Sequence, residues 1–242
     1  MLACQHVVLW GFIMTIFTLA QTKGGAGKTT LAQVLVAELV HRGVATAAID
    51  LDPNLVLSRF IGRSAALKDV VPVGVPGGDS RTADMITDFA SRYQAVVIDL
   101  MGAATPDVLI ASGFSDVVVV PSQVSEADVR CGIETWHHLM TVEQMSRRQI
   151  AKAVAFMRTS PAIKTKAQQH VRRQYERAGI PILRAELMER TALKEMGFTG
   201  LPPNLTDRQG NAGQNVIAVV DEIIGLLPAS QQAGLRQREM VA

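Results

Sequence analysis

A glycine-rich segment at residues 23–30, KGGAGKTT, limits the folds open to this chain more than any other part of its sequence. It stands between a short β-rich apolar run and a helical pattern. In that setting glycines let backbone N–H groups turn inward around phosphate oxygens, and the amino terminus of the next helix adds its positive dipole. The segment therefore predicts a phosphate-binding loop in preference to an ordinary tight turn. The predicted binding residues are Gly24, Gly25, Ala26, Gly27, Lys28, Thr29 and Thr30.

Two side chains of this loop have a specific predicted chemistry. Lys28 supplies a cation to the β and γ phosphates of a nucleotide, and the Thr29 hydroxyl can bind Mg²⁺. The spacing of the glycines departs from the usual Walker A pattern, and the loop carries an extra lysine, Lys23. We therefore interpret it as a deviant form of that motif.

Apolar, β-rich runs alternate with helical patterns along most of the chain. Such alternation implies a parallel sheet covered by helices on both faces. We predict an α/β P-loop NTPase fold with a mostly parallel, twisted sheet flanked by helices. The predicted strands are residues 16–21, 44–50, 95–99, 116–121, 151–157 and, more weakly, 181–184, with an edge strand and loop within 71–80. The predicted helices are residues 29–42, 82–92, 125–140, 165–178 and 214–227.

The domain organisation is predicted to be simple, because no linker or repeat divides the 242 residues. We predict one ATPase domain over residues 14–228, followed by a flexible polar tail over 229–242. Residues 1–13 are interpreted as an extension or a mis-called start, since they are too short to span a membrane. The cysteines Cys4 and Cys131 are too few for a disulfide scaffold and fit a reducing cytoplasm.

Aspartates follow two further predicted strands. Asp50 and Asp52 follow one apolar run, and Asp99 ends the run AVVID, which has the Walker B form. Asp99 is predicted to hold Mg²⁺ through water, and Gly102 follows where a small residue lets the backbone approach the γ phosphate. Each aspartate alone could be a helix cap or turn residue. Three of them in this order favour a Mg-nucleotide site.

The loop KGGAGKTT resembles the deviant Walker A motif of the ParA/MinD superfamily of P-loop ATPases. The segment DLDPN resembles the DxDPQ segment of ParA proteins, with Asn54 in place of the more usual Gln. This resemblance implies that Lys23 reaches across an ATP-bound sandwich homodimer to the partner's phosphates. It also implies that Asp50 supports the water shell of Mg²⁺ and that Asp52 orients the attacking water.

Other positions carry weaker signals. Arg158 follows the predicted strand AVAFM, near where relatives place adenine-contacting residues, and is a candidate for nucleotide binding. Pro121 and Asp128 match the family's strand-to-helix junction, where a structural role fits equally well. Cys131 has no second cysteine nearby and is interpreted as a core thiol, and the histidines lack metal-ligand partners.

The net charge of +2 conceals an uneven distribution. Between residues 147 and 194 twelve Lys and Arg face only three Glu, so this segment carries +9 and the remainder carries −7. Clustered cations can neutralise DNA phosphates without reading sequence, although the same pattern fits solvated faces of surface helices. ParA relatives bind nonspecific DNA through basic residues in this half, which favours DNA here. The candidate contacts are Lys164, Lys166, Arg172, Arg173 and Arg177.

The resemblance implies a function as well as a fold. It favours a short ParA-type ATPase that partitions plasmid or chromosomal DNA in the bacterial cytoplasm, at the nucleoid. Such a protein is a slow Mg²⁺-dependent ATPase that binds ATP and ADP, dimerises with ATP and is stimulated by a ParB-like centromere-binding or adaptor protein. The alternatives are a MinD-like membrane or cargo-positioning ATPase, which the weakly apolar carboxy terminus disfavours, a P-loop amidoligase related to cobyrinic acid diamide synthase, and an ATP-binding scaffold.

Overall fold

A parallel sheet organises the chain, as the alternation of strand and helix patterns predicts. The computed structural model describes residues 14–75, 82–103, 105–163 and 165–236. The strands in these ranges are β1 (Thr15–Leu19), β2 (Thr46–Asp50), β3 (Val73–Gly74), β4 (Ala95–Asp99), β5 (Val117–Ser122), β6 (Ala151–Thr159) and β7 (Leu187–Met188). They form one seven-stranded sheet in the order β3-β2-β4-β1-β5-β6-β7, and every pair is parallel.

Helices make the connections that parallel neighbours require. Those in the described residues are α1 (Lys28–His41), α2 (Val56–Arg63), α3 (Thr82–Arg92), α4 (Pro106–Phe114), α5 (Glu126–Ser146), α6 (Lys166–Arg177), α7 (Thr191–Thr199), α8 (Pro203–Thr206), α9 (Asn211–Gly225) and α10 (Ala229–Leu235). None of these helices combines the length and apolar character needed to cross a membrane.

Alternate residues along each central strand feed two hydrophobic layers, one on each face of the sheet. In β1, Phe17 packs in the layer under α1 and α9, whereas Ile16 packs in the layer under α3 to α6. Because both faces are covered, the strands are apolar almost throughout. The α/β architecture predicted from the sequence is confirmed.

The strand register brings the predicted acidic residues to one end of the sheet. Leu19 of β1 pairs with Asp99 of β4, and Asp99 pairs in turn with Asp50 of β2. The phosphate loop follows β1 directly, so it begins at the same end of the sheet as the two aspartates. Carboxyl ends of parallel strands are where α/β proteins bind their ligands.

The structure corrects the sequence prediction at the carboxy-terminal side. The strand predicted at 181–184 is reduced to a single bridge between Ile182 and Val154, and β7 forms the edge instead. The tail predicted to be flexible over 229–242 begins with α10, which is anchored because Leu235 is buried in the core. Residues 1–13 and 237–242 lie outside the described residues, so the extension and the last part of the tail stay predictions.

Candidate nucleotide-binding site

The loop between β1 and α1 has the backbone geometry of an anion site. Gly25 and Gly27 have φ values of 76° and 106°, which L side chains rarely adopt. A Cβ on Gly27 would also stand 2.9 Å from the Cε of Met157. Gly27 is the N-cap of α1 and offers no side-chain cap, so the first-turn N–H groups are open to an anion.

Lys28 is held across the base of this loop. Its Nζ donates hydrogen bonds of 3.1 Å to the backbone oxygens of Gln21 and Lys23. Burial lowers the pKa of Lys28, and the nearby carboxylates of Asp99 and Asp52 oppose that shift. The Lys28 ammonium is therefore held at the base of the loop, and two negatively charged carboxylates lie near it.

Asp99 is fully buried, and nearby groups offset only part of the cost of burying its charge. Both of its oxygens are buried and lack a hydrogen-bond partner within the described ranges. Burial raises the pKa of Asp99 to about 7; the Thr29 hydroxyl opposes this shift and Asp50 adds to it. A hard cation would compensate the carboxylate, so Asp99 and Thr29 fit a magnesium site.

Asp50 is already occupied by protein donors. One carboxylate oxygen accepts hydrogen bonds from Ser58 N and Ser58 Oγ at 2.8 and 2.9 Å, and the other accepts from Asp52 N at 3.2 Å. It thereby ties the start of α2 to the end of β2. This arrangement fits support of a metal's water shell better than direct coordination. No cluster of three or more His, Cys, Asp or Glu in the described residues could hold a metal ion, so Mg²⁺ here would depend on nucleotide oxygens and water.

Asp52 lies in the loop that follows β2. Its Oδ1 accepts hydrogen bonds from the backbone N and the Nδ2 of Asn54, at 2.8 and 2.9 Å. Asn54 therefore orients this carboxylate. No described residue donates a hydrogen bond to the second oxygen of Asp52, so this oxygen is open to a water molecule.

Gly102 lies against the phosphate loop itself. A Cβ at this position would stand 2.7 Å from the N and Cα of Gly24 and 3.0 Å from the carbonyl carbon of Lys23. Backbone atoms cannot move aside as a flexible side chain can. Glycine is therefore required at 102 by the loop's backbone, in addition to any approach to a phosphate.

Lys23 is bound within its own subunit. Its Nζ lies 2.6 Å from Oδ2 of Asp128, and the two side chains are 36% and 1% exposed. Burial alone would raise the pKa of Asp128, but hydrogen bonds from Lys23 and Ser125 outweigh it and hold the pKa below its usual value. The predicted contact of Lys23 with a partner's phosphates requires this ion pair to open.

A cavity of about 500 Å³ adjoins the loop and has the size of a small-molecule site. It extends from Thr29 and Thr30 to Met157 and Arg158 at the end of β6. The structure thus places Arg158 beside the phosphate loop, with an unusual φ of 55°.

The far wall of this cavity contains residues that sequence reasoning missed. Glu189, Arg190 and Lys194 line it, and the Arg190 Nε is buried without a hydrogen-bond partner in the part of the chain described. No motif marks these residues, because they reach the cavity only through the pairing of β7 with β6.

The predicted DNA contacts on helix α6 differ in how far they are exposed and in whether they form ion pairs. Arg172 is partly exposed; it forms an ion pair of 2.8 Å with Glu186, and its guanidinium lies 5.2 Å from the Phe156 ring centroid. Its interpretation as a DNA contact stays a prediction, and the ion pair with Glu186 disfavours it because it neutralises the charge. Lys166, Arg173 and Arg177 are exposed, and Lys164 lies outside the described residues. His170, which the sequence analysis passed over, is exposed beside them.

Both the sequence and the fold are similar to those of known nucleotide-binding proteins. A family model described as the CobQ/CobB/MinD/ParA nucleotide binding domain matches residues 17–203. Protein ParA of Rhizobium radiobacter is 30% identical over 203 residues, which cover 82% of this chain and 89% of that protein.

Solved structures share the architecture at lower identity. The ATP complex of a Cyanothece McdA variant superposes with a TM-score of 0.73 at 17% identity, covering 89% of this chain and 98% of that one. MinD of Pyrococcus horikoshii OT3, solved with Mg-ADP, gives a TM-score of 0.67 at 18% identity, covering 87% and 96%. These two likenesses concern the fold.

Proposed function

Because the chain belongs to the CobQ/CobB/MinD/ParA family of nucleotide-binding domains, we propose that it is a ParA-type ATPase that partitions plasmid or chromosomal DNA. The observation that carries the proposal is the buried Lys28, which feels the charges of Asp99 and Asp52 and begins a helix whose first turn has no side-chain cap. Phosphoryl transfer to water needs positioning and charge neutralisation more than a strong base. This arrangement supplies both.

Each residue of the site has a defined part in the proposed hydrolysis. Lys28 and the N–H groups of the loop hold the phosphates, while the adjoining cavity and Arg158 receive the nucleoside. Asp52, oriented by Asn54, holds the attacking water. Mg²⁺, when bound, would neutralise phosphate charge. The Thr29 hydroxyl would bind it, and Asp99 and Asp50 would hold it through water.

In the proposed cycle, ATP draws Lys23 away from Asp128 and towards the phosphates bound by a second copy of the chain. The triphosphate offsets the repulsion between two lysines brought to one interface. Hydrolysis then weakens this dimer, and a ParB-like or adaptor protein accelerates it. The dimer would act in the bacterial cytoplasm, on nonspecific DNA of the nucleoid.

Phosphate release from Mg-ATP tests the proposed enzymatic role. We expect Lys28→Ala to lose ATP binding, and Asp52→Ala to bind ATP but hydrolyse it about 100-fold more slowly, because a transition-state contact is lost. Lys68→Ala is the control, since this exposed lysine lies away from the cavity. Wild-type turnover in Asp52→Ala would remove that residue from catalysis. An ATP-dependent dimer that persists in Lys23→Ala would exclude the sandwich arrangement.

A further inference from the structure

The exposed face of α6 carries one lysine, one histidine and two arginines in a single stripe. Lys166, His170, Arg173 and Arg177 follow each other at intervals of four, three and four residues, which is the spacing of one helical face. At 1.5 Å per residue the stripe is about 16 Å long, or roughly five base-pair steps of duplex DNA. Lys166, Arg173 and Arg177 form no ion pair with any other described residue.

The opposite face of α6 is fixed to the protein. Tyr175 is fully buried and donates a hydrogen bond of 2.8 Å to Ser122 Oγ, and Arg172 is bound to Glu186. The helix therefore presents its stripe in one orientation. A rigid row of cations loses less conformational freedom on binding than a mobile one does.

A groove separates the stripe from the start of α5. It has a volume of about 570 Å³, and Lys166, His170 and Arg173 line one side of it. Ser125 and Glu126 line the other side. Glu126 is exposed, so its carboxylate is the negative charge within a groove whose other charged groups are positive.

We infer that this α5–α6 groove receives one phosphodiester backbone of duplex DNA, and that Glu126 limits the affinity. The inference rests on the proposed DNA-binding function and assigns it a place. Lys166 and Arg173 would neutralise phosphates, while Glu126 would repel them and keep the complex readily reversible. Arg172, although adjacent in sequence to Arg173, takes no part because Glu186 neutralises it.

The groove fits a DNA backbone better than a membrane surface or an unpaired base. The exposed side chains of α6 include nothing apolar larger than alanine, whereas a helix that lies in a membrane interface needs large apolar side chains. Among the described residues no Phe, Tyr or Trp lines the groove, so it lacks the large aromatic rings on which successive bases stack. This surface would therefore bind a partner through charge, which suits the phosphates of a DNA backbone.

Fluorescence anisotropy with a random-sequence duplex, the full chain and Mg-ATP tests the inference across a salt series. We expect Glu126→Gln to tighten binding roughly threefold at low salt, because one like-charge repulsion is removed. Lys166→Ala with Arg173→Ala should weaken binding and reduce the slope of log affinity against log salt by about 2. A gain from one variant and a loss from the other cannot both come from damaged folding.

Matched controls separate the groove from general charge. Glu134→Gln removes an exposed carboxylate from the same helix outside the groove, and Arg184→Ala removes a cation that is 95% exposed elsewhere. Both should leave affinity nearly unchanged.

If the wild type fails to bind DNA, the proposed function fails. If the wild type binds but the groove variants match their controls, only the inference fails. Groove variants that alter binding to anionic lipid vesicles and not to DNA would overturn it in favour of a membrane.

Discussion

Lys23 and Asp128 form an ion pair whose two members differ in their access to water. Lys23 is 36% exposed and can be solvated when the pair opens, whereas Asp128 is 1% exposed and cannot. Asp128 Oδ1 is also buried without a partner among the residues described. A buried carboxylate that loses its cation is costly, while an exposed ammonium that loses its anion is not.

The two single substitutions should therefore differ in stability. We expect Lys23→Ala to lower the free energy of unfolding of the nucleotide-free protein by about 1–3 kcal/mol, because it leaves the Asp128 charge unpaired. Asp128→Asn should cost less, and adding it to Lys23→Ala should restore part of the loss. Urea denaturation measures all three. Equal costs for the two single variants would contradict the asymmetry.

Helices α5 and α6 are joined by a contact that involves a glycine and a tyrosine. The Tyr175 hydroxyl bonds to Ser122 and lies 3.3 Å from the carbonyl oxygen of Asp128. Gly132 of α5 makes room for it, since a Cβ there would overlap the hydroxyl and stand 3.0 Å from the Tyr175 Cζ. The helix with the cationic stripe is thus bonded to the residue that holds Lys23.

This packing predicts a rescue between two substitutions. Gly132→Ala should destabilise the protein, because its methyl group overlaps the buried hydroxyl. Tyr175→Phe alone should cost about 1 kcal/mol through its lost hydrogen bonds. The double variant should be more stable than the sum of the two losses, since removal of the hydroxyl relieves the overlap. Urea denaturation of the four proteins gives the coupling energy, and additive losses would show that the contact does not exist.

The same two helices show what a sequence pattern can and cannot predict. The central strands are apolar on both faces, so their order along the chain and the loop after β1 were predictable. In α6 only two apolar side chains, Val171 and Tyr175, mark the buried face. The sequence therefore did not reveal which of the basic residues of this helix face the solvent. Arg172 and Arg173 looked equivalent, but about 100° of helical rotation separates them, and Glu186 captures one.

Contacts between distant parts of the chain account for most of what the sequence could not reveal. Asp128 meets Lys23 across 105 residues, and Arg190 reaches the cavity through an edge strand of two residues. The polar segment after residue 228 becomes a helix because Leu235 enters the core. Motifs predict local chemistry well, whereas these contacts depend on how the whole chain closes around the sheet.

One buried carboxylate links the nucleotide-binding part of the molecule to its carboxy-terminal helices. Glu38 of α1 is fully buried, and its oxygens accept hydrogen bonds from Arg208 at 2.6 and 3.1 Å, from Arg42 at 2.9 Å and from Asn204 at 3.1 Å. Burial favours the neutral acid, but these donors outweigh it and lower the pKa of Glu38 from its usual 4.5. The native state thus favours the charged carboxylate more than the unfolded chain does.

The stability of the whole molecule should therefore depend on pH through Glu38. A carboxylate whose pKa is lowered by folding stabilises the protein fully above its unfolded pKa, and this contribution is lost as pH falls through the native value. We expect Glu38→Gln to lower the free energy of unfolding by about 2 kcal/mol at neutral pH, because two arginines lose their shared anion. Below about pH 4 the difference from wild type should shrink. Urea denaturation from neutral to acidic pH measures it, with exposed Glu134→Gln as control. A gap that stays constant over this range would show that packing, and not the charge of Glu38, joins α1 to α8 and α9.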